Sequence, residues 1–243
     1  MDENRNMYRE GANLFGQLRW WGLALAAWLL LADGLAVFFP TIGNALNMGT
    51  LIAWAVFTFM GHAQFMLPNR DRADDASLMQ GFIWRYAGTL ILAGLSGVAI
   101  VVALAIGFGI ENEGLIALMV LISVGIVMGT VLALVGTWFP GHVMRDAAGL
   151  RGALKRGPGV FFYVIGHLLV SVMPLVLLTM LFFMAPSFWG YTTRIITGEG
   201  ALHLFGLATN LAAIAVSLLG NCIMVVILAR AYERGEDRLS GLI

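Results

Sequence analysis

Residues 145–159 read RDAAGLRGALKRGPG and hold four of the chain's 14 basic residues, with a long apolar run on either side. A run of about 20 apolar residues crosses a bilayer core as a helix, because lipid offers no partner to an open backbone group. Basic residues next to the ends of such runs are retained in the cytoplasm. The stretch is therefore read as a cytoplasmic elbow between two membrane spans, and the remaining chain can be threaded outward from it.

Six apolar runs stand out, at 20–39, 46–67, 84–110, 115–139, 161–185 and 202–228. An even number of crossings puts both termini on the elbow's side. Arg5, Arg9 and Arg19 then share that side with Arg70, Arg72 and Arg85, with the elbow itself, and with Arg230, Arg234 and Arg238. Only Arg194 falls opposite. The expected fold is an all-α, six-transmembrane-helix bundle with both termini cytoplasmic. Residues 1–19 form an N-terminal segment, 20–229 the transmembrane domain and 230–243 a C-terminal tail.

Within the elbow, Pro140 is expected to end the fourth span, and Gly157, Pro158 and Gly159 to break the chain before the fifth. Val143, Ala147, Leu150 and Leu154 recur at helical spacing opposite Arg145, Arg151 and Lys155. That pattern predicts a short interfacial helix lying flat, with Arg145, Arg151, Lys155 and Arg156 among anionic lipid headgroups. Near the N-terminus, Met7, Tyr8, Leu14, Phe15, Leu18 and Trp21 share one helical face, which predicts an amphipathic segment in the membrane interface. Asp2, Glu3 and Glu10 spoil the basic leader of a secretory signal.

Composition agrees with this reading. Hydrophobic residues make up 60% of the chain, charged residues 12%, and mean hydropathy is +0.86. A formal net charge of zero gives no reason to expect a nucleic-acid partner. The single cysteine, Cys222, excludes an intrachain disulfide framework. The connections PTIGNALN and ENEG are tight turns, and PSFWGYTTRIITGEG is the one longer loop on the outer side, with Trp189 and Tyr191 suited to the headgroup boundary. No segment has the make-up of a soluble catalytic domain.

Polar side chains inside a membrane are costly, and so they are the candidate sites. Asp33 is the one carboxylate well within a span, and Asn210 lies at matching depth, with His203 nearer the outer edge. A second layer holds His62, Gln64, His167 and Asn221. His62 and His167, on different helices at similar depth, have the placement axial haem ligation needs; both are read instead as hydrogen-bonded packing residues, with no cofactor. No histidine pair or carboxylate cluster has metal-ligand spacing, so no metal is expected. Gly94, Gly97, Gly125 and Gly129 fall where small residues let helices approach closely. The fragment GLSG at 94–97 resembles the nucleophile motif of rhomboid proteases, and HLFG at 203–206 loosely resembles their histidine motif. Ser96 is near mid-span and His203 at a span's edge, a separation on the order of 10 Å by helical rise. Packing is the better reading.

The elbow and its flanks carry one further likeness. Phe139-Pro140, Asp146, Gly149, Ala153-Leu154, Lys155-Arg156 and Phe161-Phe162 follow in order over about 40 residues. This resembles the repeated signature of six-helix bacterial membrane proteins akin to the glycerophosphoryl diester phosphodiesterase membrane domain. The chain departs where that family has Ser-Trp after the basic pair, having Gly157-Pro158 instead. The resemblance implies a bacterial inner-membrane protein without the hydrolase domain that some members carry. The expected function is a non-enzymatic scaffold, assembly factor or accessory subunit of a membrane complex. Its expected partners are anionic lipids and other membrane proteins or a second copy. The alternative is a transporter of a lipid or small amphiphile.

Overall fold

The computed structural model describes residues 2–67, 76–188, 195–196 and 201–241. It is 90% helical. Among the described residues the only extended pairing is an isolated bridge between Ile196 and Leu202. The described residues form nine α-helices in order: α1 (Asp2–Gln17), α2 (Arg19–Phe38), α3 (Gly43–Met66), α4 (Ala76–Phe108), α5 (Glu113–Val135), α6 (Trp138–Val143), α7 (Gly149–His167), α8 (Met173–Phe188) and α9 (Leu204–Leu239). A 3-10 turn, Pro40–Ile42, precedes α3, and a π turn, Leu168–Val172, joins α7 to α8. Among the described residues six helical stretches are long and apolar enough to cross a membrane. They coincide with the six runs expected from sequence.

The helices outrun the apolar segments where polar or charged residues continue the helical pattern. Both α4 and α7 begin before their apolar runs, and α9 continues through Arg230, Arg234 and Arg238. The turn between α4 and α5 is closed by two local devices. Gly109 adopts φ +62°, the left-handed conformation that ends a helix at little cost in glycine. The Asn112 side chain then accepts a hydrogen bond from the Leu115 amide at 2.9 Å, satisfying one of the donors left open at the start of α5.

Two compact units can be distinguished. One comprises Met1–Arg70 and His167–Ile227, the other Asp71–Gly166 and Leu228–Ile243. In the first, α9 supplies the fully buried Ile223, Val226 and Ile227, and Met7, Leu14, Leu18, Phe57 and Phe59 are also buried. Gly11 of α1 lies against Ile223, and Gly61 of α3 against Val225 and Leu18. The apolar face of the N-terminal helix is thus covered by protein at Met7, Leu14 and Leu18. Half of the face expected in the membrane interface is thus occupied by protein instead, while Tyr8 and Trp21 of the same face stay exposed. Tyr8 leaves that face to donate a hydrogen bond to the Val170 carbonyl in the π turn, at 3.0 Å.

In the second unit, Phe82 and Tyr86 of α4 meet Phe139 of α6, with ring centroids 5.6 and 5.8 Å apart. Gly97 brings α4 close to the Val124 backbone of α5, and Ser123 donates to the Gly97 carbonyl at 3.1 Å.

The elbow differs from its expected form. The fourth span ends at Val135, not at Pro140, and Pro140 sits inside the short helix α6. There is no break at Gly157, Pro158 and Gly159: α7 passes through all three and on into a stretch, Gly149–Phe182, that is long and apolar enough to cross a membrane. Pro158 is exposed, so the Leu154 carbonyl it leaves without a helical donor lies on an open face. Gly157 is required by packing, because a Cβ there would overlap the Leu134 carbonyl oxygen.

Candidate functional site

The second unit holds a buried guanidinium. Arg156 of α7 is 2% exposed, a costly position for a charge without partners. Its Nη1 donates to Asp146 at 2.8 Å and also to Glu236 of α9. The Tyr232 ring of α9 lies 4.6 Å from its Cζ, a cation–π contact. Three glycines make the room. A Cβ at 141 would come within 3.2 Å of Nη2, one at 152 within 3.2 Å of Nη1, and one at 235 within 2.8 Å of the Arg156 Cβ.

Asp146 has a second task, accepting from the Ala148 amide at 2.8 Å just before α7 starts. Arg145 beside it adopts φ +58° and Gly149 φ +51°, two left-handed residues that fold the turn tightly. Asp146, Gly149 and Arg156 of the elbow's motif are therefore parts of one ion-paired corner. Arg145, Arg151 and Lys155 are exposed, as headgroup contact requires. Arg156, grouped with them from sequence, turns inward instead, because two carboxylates and an aromatic ring wait there.

A second polar cluster joins α4 and α6. His142 Nε2 lies 2.9 Å from the Leu78 carbonyl, so Nε2 carries the proton and donates it. Arg85 Nη1 donates to the Gly81 carbonyl at 2.8 Å and passes 3.4 Å from the same Nε2. Burial lowers the His142 pKa below 6.5; the Leu78 bond opposes this and the Arg85 charge adds to it. The Arg85 guanidinium sits over the Trp138 ring at 5.4 Å.

Beside this cluster α4 and α5 leave an apolar cleft of about 250 Å³, lined by Thr89, Ala93 and Ser96 of α4, Val131 of α5, Trp138 of α6 and Leu150 of α7. Ser96, the residue that resembled a nucleophile, is a wall of this cleft.

The intramembrane candidates fall in the first unit. Asn221 of α9 is buried and meets Thr58 of α3, its Nδ2 donating to the Thr58 hydroxyl at 3.1 Å. Thr58 in turn donates to the Trp54 carbonyl at 2.8 Å. His62 lies one turn along α3 and is wholly buried. Gln64 and His167 are half-buried, and Asp33 on α2 is exposed. Asn210 donates to the Gly206 carbonyl of its own helix at 2.8 Å. His203 caps α9, its Nδ1 accepting from the Gly206 amide at 3.0 Å. Arg194, Trp189 and Tyr191 lie outside the residues whose side chains are described.

Among the described residues no group of three histidine, cysteine or acidic side chains is close enough together to hold a metal ion. Of the packing glycines, Gly97 is pressed against α5 and Gly129 has one ordinary contact, Ile165, while Gly94 and Gly125 face open space. Sequence reading overlooked Thr58, Arg85, His142, Tyr232 and Glu236. The last two stand four residues apart on one helical face, and that spacing was the available signal.

Comparison with known proteins gives no match: no family model fits the chain, and no curated protein or solved structure is similar to it.

Proposed function

We propose that this chain is a non-enzymatic, multi-pass protein of a bacterial inner membrane, with both termini cytoplasmic, acting as a scaffold, assembly factor or accessory subunit of a membrane complex. The observation that carries this reading is α5. Its apolar window is only 6% buried, against 56% for α9, and Gly125 stands on its open face with nothing within 4 Å. Lipid alone would cover such a helix, but an open glycine on it is where a second helix can come close.

The exposed Arg145, Arg151 and Lys155 support contact with anionic headgroups at the same end as the charged turns of α9. The Asp146–Arg156 corner supports kinship with the glycerophosphoryl diester phosphodiesterase membrane-domain family, since Asp146, Gly149 and Arg156, three of the residues that carry the likeness, take part in it.

The test is gentle purification from native membranes with identification of retained proteins by mass spectrometry. A membrane protein retained by the natural chain and lost with Gly125→Leu is the expected result; a chain that purifies alone refutes the role. Orientation is checked with reporters fused after Ile243 and within the ENEG turn, which should report opposite sides.

The second reading, transport of a lipid or small amphiphile, is favoured by one observation, the apolar cleft beside Trp138.

A further inference from the structure

We propose that the cleft between α4 and α5 is a binding site for an anionic phospholipid, taking one acyl chain between the helices and the phosphate against Arg85. The inference rests on the membrane reading above and adds a ligand class and a place to it.

Size selects the part of the ligand. About 250 Å³ is below the roughly 300–1,000 Å³ that encloses a whole small molecule, so the cleft takes a segment of one. From Thr89 to Ser96 it runs about 10 Å along α4 by helical rise. Its walls are carbon for most of that length, and the Thr89 hydroxyl is already engaged, donating to the Arg85 carbonyl at 2.7 Å. A hydrocarbon chain is the matching occupant.

Charge selects the headgroup. Arg85 is one helical turn before Thr89, on the order of 6 Å from the apolar walls. Its visible contacts are a carbonyl, an imidazole nitrogen and an indole ring, none of which neutralises it. Its Nε is buried and has no hydrogen-bond partner among the described residues. The ion pairs of Arg156 engage Asp146 and Glu236, and no described carboxylate pairs with Arg85. Arg151, exposed and also without a described carboxylate partner, follows Leu150 directly. A phosphodiester at the mouth would supply the missing anion through charge-assisted hydrogen bonds. Trp138, at the junction of cationic and apolar parts, is suited to the boundary between headgroup and chain.

The full chain is reconstituted into vesicles of equal parts phosphatidylglycerol and phosphatidylcholine, extracted, and weighed by native mass spectrometry. The expected result is one retained phosphatidylglycerol per chain. Retention should fall about tenfold with Arg85→Gln, and with Ser96→Trp, which fills the exposed inner end of the cleft. Leu150→Trp, which fills the other end, guards against a folding defect peculiar to one variant. Arg19→Gln, which removes an exposed cation on α2 that is not part of this cleft, should retain lipid as the natural chain does. Equal retention of both lipids, or undiminished retention in Ser96→Trp and Leu150→Trp, overturns the proposal. Alkaline carbonate extraction separates this from failure of the underlying reading: release of the chain from membranes refutes insertion itself, whereas a chain that stays but shows no lipid preference refutes the site alone.

Discussion

Arg156 and Asp146 stand ten residues apart in sequence and 2.8 Å apart in space, closing the turn that leads into α7. The arginine is 2% exposed and the aspartate 15%. Removing one partner of such a pair leaves a buried charge poorly compensated, at about 3–5 kcal/mol. Glu236 remains as a second partner, so Asp146→Ala should fall at the low end of that range. Glu236 is 48% exposed, and Glu236→Gln should cost about 1 kcal/mol or less. Denaturant unfolding of the purified protein in detergent gives both values, and the order of the two is the critical outcome.

Gly157 and Gly88 offer a paired test of backbone packing. Gly157→Ala drives a methyl into the Leu134 carbonyl and should destabilise the protein measurably. Gly88 lies inside α4 with nothing within 4 Å, so Gly88→Ala should stabilise by about 0.5–1 kcal/mol through helix propensity. Thermal unfolding should move in opposite directions for the two; movement in the same direction would contradict the packing described.

His142 makes stability depend on pH. Its pKa in the folded chain lies below 6.5, so the unfolded chain binds the proton more readily. The contribution of neutral His142 is complete above pH 6.5 and is lost as pH falls below that value toward the lowered pKa. His142→Gln keeps a donor for the Leu78 carbonyl but cannot titrate. The difference in stability between the natural chain and this variant should be constant above pH 6.5 and shift in the variant's favour on the acid side. A difference independent of pH would rule out the buried, proton-donating imidazole.

Thr58 and Asn221 bridge α3 and α9 with a buried hydrogen bond. Lipid tails are as apolar as a leucine side chain, so such bonds and close packing hold helices together in a bilayer, at about 0.6 kcal/mol each on average. A double-mutant cycle with Thr58→Val and Asn221→Leu should return a coupling of about that size. A coupling indistinguishable from zero would mean the two residues do not act together.

The six long helices were legible because span length and apolar content are local properties. The basic elbow was legible for the same reason. What escaped was pairing over distance. Arg156 carries no local mark that sets it apart from Arg151 or Lys155; its second carboxylate is 80 residues further along the chain. Gly157 and Pro158 have the composition of a break, yet one is small to meet Leu134 and the other points outward, so the helix continues. The face of α1 was visible in the spacing of Met7, Leu14 and Leu18. What covers that face was not, since a lipid surface and an apolar helix impose the same pattern. Asn221 was visible as a polar residue within a span, but a threonine partner leaves little trace in an apolar run.

The π turn at Leu168–Val172 amounts to one residue more than a regular helix would use, and Tyr8 donates to one of its carbonyls. Deleting a single residue there would restore ordinary winding without turning the side chains that follow, because the wide turn already absorbs the surplus residue. Thr179 would still meet the Ser217 hydroxyl, 3.4 Å away, and what would be lost is the widened turn whose Val170 carbonyl receives Tyr8. One surplus amino acid thus serves the N-terminal helix, at a place where the chain beyond it is left undisturbed.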